Sequence, residues 1–411
     1  MIEVPTLVLL LLLATGAVVV SAWVRVSYTL VLLVLGLVLG ASGVLPQVSP
    51  SADIILLLFL PPLIFQAAFE LDVRTLWSVR VGVLLLALPG VLLAAAVGGV
   101  LVHWALGLPW TVALLFGALI AATDPVAVLA TFKTLGVGRR LTVLVEGESL
   151  LNDGTALVLV AALVTAATGH LTLADAALEF VVSIVGGVLL GAVLGWLASW
   201  LVALVDQHLT EMAVSVAVAY GAFLAADSLH LSGVLATIAA AMTLGHLGRS
   251  RGWVFTHRSD EVLADLWDFL AFAANAGLFL LIGLQVSVAG LRDHPEAVVW
   301  GVVAALAGRA VVAYGGAVVL GWLRFPVSLP ESHLLFWGGL RGAVALAGVL
   351  SLPSGFPHQE ELLAMTYGAV LFTLLVQGLT ITPLVAWLGL GEPEGAVGEG
   401  GGPPEVRKVA T

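Results

Sequence analysis

The sequence predicts an all-α polytopic membrane protein, and three observations carry that reading. Of 411 residues, 61% are hydrophobic and only 10% are charged, against about 25% charged residues in an ordinary soluble domain. The apolar residues form long continuous runs rather than strand-like alternation, which favours helices over a closed β-barrel. Lys and Arg gather on alternate connections between those runs, as they do on the cytoplasmic side of membrane proteins.

Thirteen apolar segments follow in order, at approximately 6–24, 28–45, 52–69, 81–106, 110–132, 141–167, 174–205, 211–229, 232–247, 262–285, 296–321, 332–352 and 363–390. Each reaches or approaches the ~20 residues a helix needs to cross the hydrocarbon layer. The first carries Glu3 before it and Arg25 after it, the wrong flanks for a cleaved signal peptide, so it reads as a retained helix with its N-terminus outside. The seventh is long enough to be tilted or to extend past the bilayer. Segments 1–390 therefore read as one transmembrane domain, and 391–411, rich in Gly, Pro and Glu, as a disordered cytoplasmic tail.

This threading puts twelve Lys and Arg residues inside, among them Arg25, Lys133, Arg139, Arg140, Arg251, Arg407 and Lys408, and only Arg292 outside. Arg309 and Arg341 fall within helices. Cysteine is absent, which excludes disulfides and thiolate metal sites. No basic cluster suggests nucleic acid, no nucleotide loop appears, and no cofactor is implied. Ser149 has no His at matching depth, so an intramembrane enzyme is not indicated.

Two segments carry helix breakers at matching places. Phe116-Gly117 precedes Asp124-Pro125 in the fifth, and Phe336-Trp337-Gly338-Gly339 precedes Arg341-Gly342 in the twelfth. An offset of seven segments turns the second copy upside down, and such inverted repeats of broken helices point to a transporter's central site. Pro125 lacks an N–H and disfavours helix at Asp124, so freed carbonyls there, including that of Thr123, are available to a cation. A further broken region, Leu60-Pro61-Pro62, lies in the third segment. Beyond it, Gln66 is a candidate to face the cavity, and Glu70 reads as a flank charge more readily than as a ligand.

The sixth segment holds Val145-Glu146-Gly147-Glu148-Ser149-Leu150-Leu151-Asn152-Asp153-Gly154-Thr155 where a membrane helix should be hydrocarbon. An ionised side chain at bilayer centre costs at least ~2.5–3.5 kcal/mol. Asp124 lies about 14 residues from the outer end of its segment and Asp153 about 12 from the inner end of its own, so at ~1.5 Å per residue both fall near the midplane. Ser149 and Asp153 share a helix face, with Glu148 and Asn152 beside them; a bond from Ser149 back to its own helix is the competing reading. Oxygen donors of this kind suit an alkali cation. Asp153 can hold a proton or a metal ion but not both, and that competition is a coupling device. Neutral Asn152 adds no second charge, so one cation exchanges for one proton with no net charge moved. A cation channel is the main alternative class. Arg341 is too deep to stay unpaired: it either pairs with Glu148 or caps backbone carbonyls at the Gly-rich break. Arg309 reads as a structural charge with no nameable partner. Asn275 and Gln285 in the tenth segment line a pathway or bond across helices.

Leu60-Pro61-Pro62, Thr123-Asp124-Pro125, Glu146 to Asp153 and Gly339-Leu340-Arg341-Gly342-Ala343 together resemble the sodium/proton antiporters of the electroneutral cation/proton antiporter branch, the NhaP and NHE type. The resemblance covers all but the tail. It implies 13 helices with inverted repeats, in a homodimer in a cell membrane; the excess of Arg over Lys points to a prokaryotic source. It implies a mobile six-helix core, approximately 81–167 and 296–352 with adjacent helices, moving against a dimerisation domain. It assigns Asp153 as the essential ion-binding acid and Asp124, Ser149 and the Thr123 backbone as co-ligands. Asn152 is implied to hold the crossed helices, and Glu148 to pair with Arg341. Similar proteins often carry an acid where this chain has Gln66. Na+ is the expected cation, with K+ or Li+ as alternatives.

Overall fold

The computed structural model describes residues 4–24, 27–42, 55–167, 173–205, 207–250, 257–286, 288–353 and 355–391. Among them the chain is helical throughout, with no strand. The helices run α1 Val4–Val24, α2 Tyr28–Ser42, α3 Leu60–Glu70, α4 Val73–Ala87, α5 Pro89–Leu106, α6 Trp110–Leu119, α7 Val126–Leu135, α8 Arg139–Ala167, α9 Leu173–Ala203 and α10 His208–Ser228. They continue as α11 Gly233–Ser250, α12 His257–Gln285, α13 Val288–Asp293, α14 Pro295–Ala310, α15 Gly316–Trp322, α16 Leu329–Trp337, α17 Ala343–Leu350, α18 Gln359–Phe372 and α19 Gly378–Leu388. Single π-helical turns at Ile55–Phe59, Val311–Gly315 and Thr373–Gln377 join α3, α15 and α19 to the chain before them. Seven helical stretches among the described residues are long and apolar enough to cross a membrane. Residues 392–411 of the expected tail, and Arg25, Arg251, Arg407 and Lys408 of the charge count, lie outside the described residues.

One boundary differs from the sequence reading. The fourth apolar segment was expected from about 81, but helix begins at Val73. Arg74 and Arg80 read as a polar connection, yet Asp72 caps this turn. Its carboxylate accepts from the Thr75 hydroxyl at 2.5 Å and from the Arg74 amide at 3.0 Å. The Thr75 hydroxyl is the main reason its pKa lies below the usual carboxylate range. A capped helix start tolerates two Arg that hydropathy alone assigns to a loop.

Close packing comes from small residues. Gly187, Gly191 and Gly195 form a stripe on α9, and a Cβ on any of them would collide with the backbone oxygen of Ser232, Ala236 or Ala240 along α11. On α2, Gly36 and Gly40 meet the carbonyls of Leu280 and Leu284 on α12 in the same way. Without a hydrophobic drive between helices in lipid, this backbone approach is what dispersion needs. The outward face of α9, with Val185, Leu189, Trp196 and Trp200, stays exposed and apolar.

Gly191→Ala should destabilise the protein by about 1–3 kcal/mol through overpacking. Gly221, with open space around it, should tolerate Ala at a gain of about 0.5–1 kcal/mol. Thermal unfolding of the two detergent-purified variants checks the contrast.

Candidate functional site

The fifth and twelfth segments break where their sequences said they should. α6 stops at Leu119 and α7 starts at Val126; α16 stops at Trp337 and α17 starts at Ala343. The two non-helical links touch, with the Asp124 amide donating to the Leu340 carbonyl at 2.8 Å. Gly342 is required there because a Cβ would occupy the position of the Asp124 carboxylate. Gly339 is required for the same reason, with the Arg309 side chain against it. Asp124 also caps α7, since its Oδ1 accepts from the Val126 amide at 3.1 Å.

α8 crosses beside this contact. Asn152 grips Thr123 twice: its Oδ1 accepts from the Thr123 amide at 3.2 Å, and its Nδ2 donates to the Thr123 hydroxyl at 2.7 Å. The Thr123 hydroxyl lies 2.8 Å from that of Ser149. Ser149 therefore bonds across to the break rather than back to its own helix. All three side chains are buried, so they set the distance between the fifth segment's break and α8.

On the other side of that layer lies an ion pair. Both guanidinium nitrogens of Arg309 on α14 donate to Glu148, Nη1 to Oε1 and Nη2 to Oε2, the latter at 3.0 Å. The Arg309 Nε donates to the Leu335 carbonyl at 2.8 Å. The expected pairing of Glu148 with Arg341 is thus corrected: Arg309 is the partner. Arg341 instead donates to the carbonyls of Ala121 at 3.0 Å, Ala122 at 3.1 Å and Ala305 at 3.2 Å. The physical reason lies in the break. The non-helical link after α6 leaves the Ala121 and Ala122 carbonyls without intrahelical donors, and a guanidinium is the side chain with enough N–H groups to serve several at once. This is the carbonyl-capping alternative that the sequence left open.

A cavity of about 780 Å³ runs from this centre to one end of the bundle. Asp124, Thr123, Ser149 and Asp153 line its depth, and Gln66, Glu70, Glu146, Lys133 and Arg139 line it further out. Lys133, Gly136 and Arg139 are solvent-exposed, so the cavity opens toward their end. A separate apolar cluster that includes Leu115, Phe116, Leu119, Val160, Val349 and Met365 packs α5, α6, α8, α14, α17 and α18 against one another. One wall is made by the α6–α7 link with α7, α8 and α17, the other by α2, α3 and α12. Of the residues singled out from sequence, Asn152, Glu148, Arg309 and Arg341 surround a second, minute cavity behind the break, not the large one. Polar residues that line the large cavity without having been assigned there include Glu146, Tyr28 and Asp268. Asp268 accepts from the Gln66 amide at 2.9 Å. A carboxylate inside an apolar segment, seven residues from Asn275, was the available signal.

Comparisons with known proteins bear on what this geometry serves. The family profile described as "Sodium/hydrogen exchanger, transmembrane" matches residues 8–387. The Na(+)/H(+) antiporter ApNhaP of Aphanothece halophytica is 37% identical over 385 residues, 92% of this chain and 72% of that protein. The Na(+)/H(+) antiporter NhaH of Halobacillus aidingensis is 33% identical over 398 residues, 93% of this chain and 97% of that one. The solved structure of the sodium proton antiporter MjNhaP1 from Methanocaldococcus jannaschii superposes with a TM-score of 0.79 at 18% identity, covering 95% of this chain and 99% of that one. The helical fold is therefore shared.

Glu148→Gln should cost about 3–5 kcal/mol by stranding a buried Arg309. The double substitution Glu148→Met with Arg309→Met should recover most of the folded yield, because it removes both charges together. Fluorescence-detected size-exclusion of the single and double variants reads the difference, and pairing Glu148→Met with Arg341→Met instead should give no recovery.

Proposed function

The chain belongs to the sodium/hydrogen exchanger family, and from that premise we propose that it exchanges one Na+ for one H+ across the cell membrane. The observation that carries this reading is that Asp124 and Asp153 lie at the depth of one cavity that opens to a single end of the bundle. Asp153 holds either the proton or the cation. Asp124, Ser149 and the Thr123 backbone supply further oxygens, and hard oxygen donors suit Na+. Both aligned relatives carry Na+ and H+ in their names, which favours Na+ over K+.

Neutral Asn152 adds no proton site beside Asp153, and Glu148 with Arg309 forms a pair of zero net charge. The cycle then moves no net charge. Membership of an exchanger family favours alternating access over a continuous channel. In this reading the thirteen helices divide into a core, approximately 81–167 and 296–352 with adjacent helices, and a dimerisation domain. The cavity follows the boundary between them, and rocking of the core closes one mouth and opens the other. The N-terminus is outside and the C-terminus cytoplasmic, so the cavity of this structure faces the cytoplasm, and the working unit is a homodimer. Gln66 and Glu70 contribute to the vestibule rather than to the ion's own shell.

The test is dequenching of a pH dye in proteoliposomes on addition of Na+. Wild-type protein should respond to Na+ and more weakly to K+, and Asp153→Asn should abolish the response. Because proton and cation compete, the apparent KM for Na+ should rise about tenfold for each pH unit below the pKa of the shared acid. The signal should be unchanged when the membrane potential is clamped. A response to K+ alone, or one that scales with potential, overturns the reading.

A further inference from the structure

α12 presents a polar stripe to the cavity that the exchange reading does not use. Asp268, Ala271, Phe272 and Asn275 line it, at the i, i+3, i+4, i+7 spacing of one helix face. Each polar member is fixed by a neighbouring helix: Gln66 donates to Asp268, and the Asn275 Nδ2 donates to the Tyr28 hydroxyl at 3.0 Å. Tyr28 is itself held against Phe272, ring centroids 5.4 Å apart.

Asn275 is the informative one. It is only 3% exposed, yet its side-chain oxygen receives no hydrogen bond among the described residues and is not one of the atoms sealed from the cavity. An amide is planar, so committing Nδ2 to Tyr28 turns Oδ1 away from that hydroxyl. An acceptor that no protein donor takes, on the wall of a cavity, is open to whatever occupies that cavity. The support beneath it is rigid, because α2 and α12 are locked by the Gly36 and Gly40 backbone contacts.

We propose that the Asn275 side-chain oxygen is a ligand for the transported cation, supplied from the wall opposite Asp153 and engaged as the two walls approach. The chemistry separates it from the acids around the cavity. The cavity's other candidate oxygen donors include the carboxylates Glu70, Glu146, Asp268, Asp124 and Asp153, and a carboxylate accepts a proton in place of a cation, whereas an amide oxygen binds a hard cation and has no proton to exchange. Asn275 therefore strengthens the cation-loaded state and leaves the proton-loaded state alone. Tyr28 is the positioning residue, acting through the amide it orients. This rests on the cation/proton competition proposed above.

A merely structural Tyr28–Asn275 tether makes a different forecast, because either partner's removal would then have the same effect. Asn275→Ala and Tyr28→Phe are compared in proteoliposomes at two pH values, with Asn275→Leu as a second variant that keeps the core filled. Removing the oxygen should raise the apparent KM for Na+ about five- to tenfold, by the same factor at both pH values and with little change in the maximal rate. Tyr28→Phe, which keeps the oxygen, should change it clearly less. Na+-dependent thermal stabilisation of purified protein should weaken in the same order. Equal effects of the two substitutions, an unchanged KM in a folded Asn275 variant, or a factor that differs between the pH values overturns the proposal. Absence of Na+-driven exchange in the wild-type protein would instead remove the reading beneath it.

Discussion

Breaking two helices at membrane depth strands backbone N–H and C=O groups that lipid cannot satisfy, and the centre of this protein answers that constraint. The Asp124 amide finds the Leu340 carbonyl, the Thr123 amide finds Asn152, and the Ala121 and Ala122 carbonyls find Arg341. The Arg341 amide is taken by the Thr373 hydroxyl at 3.0 Å, and the Leu335 carbonyl by Arg309. Side chains from α8, α14 and the second break thus replace the hydrogen bonds that continuous helices would have made. The two links become a fixed cross rather than a soft point.

That cross explains the distribution of charge. Arginines serve the backbone and Glu148, all on the side of the break away from the large cavity. Neutral Asn152 and Thr123 form the layer between. On the cavity side remain the oxygen donors Asp124, Asp153 and Ser149, and among the described residues no ion pair to either Asp is seen. In the proposed exchange that separation keeps the carboxylates free for a small cation: a guanidinium within contact of Asp153 would occupy it permanently. Structural charges and exchangeable charges are kept apart by one layer of neutral hydrogen bonds.

Much of this was legible in the sequence because each feature violates a strong local expectation. Pro125 and Gly342 cannot sit unnoticed in helices, and Asp124, Glu148, Asn152 and Asp153 cannot sit unnoticed in hydrocarbon. The helical class and both breaks followed directly. The partner of Glu148 did not. Arg309 and Arg341 are both deep, and choosing between them requires knowing which one the carbonyls freed in the α6–α7 link consume, a tertiary fact. The start of α4 at Val73 was hidden by two arginines that an Asp72 cap makes acceptable. Asp268 and the Tyr28–Asn275 pair were hidden for another reason: their meaning depends on which face of α12 meets the cavity, and a helix that is apolar around most of its circumference gives periodicity little contrast.

In the proposed exchange a cation and a proton compete for one carboxylate, Asp153, at the depth of the cavity. The most direct measurement of that competition is calorimetric titration of the purified protein with Na+ in buffers of different ionisation enthalpy, which counts protons released per cation bound. The account predicts a release approaching one proton per Na+ at low pH, falling toward zero at high pH, and no Na+ binding in Asp153→Asn. Na+ binding without proton release across the whole pH range, or release that persists in Asp153→Asn, would contradict it.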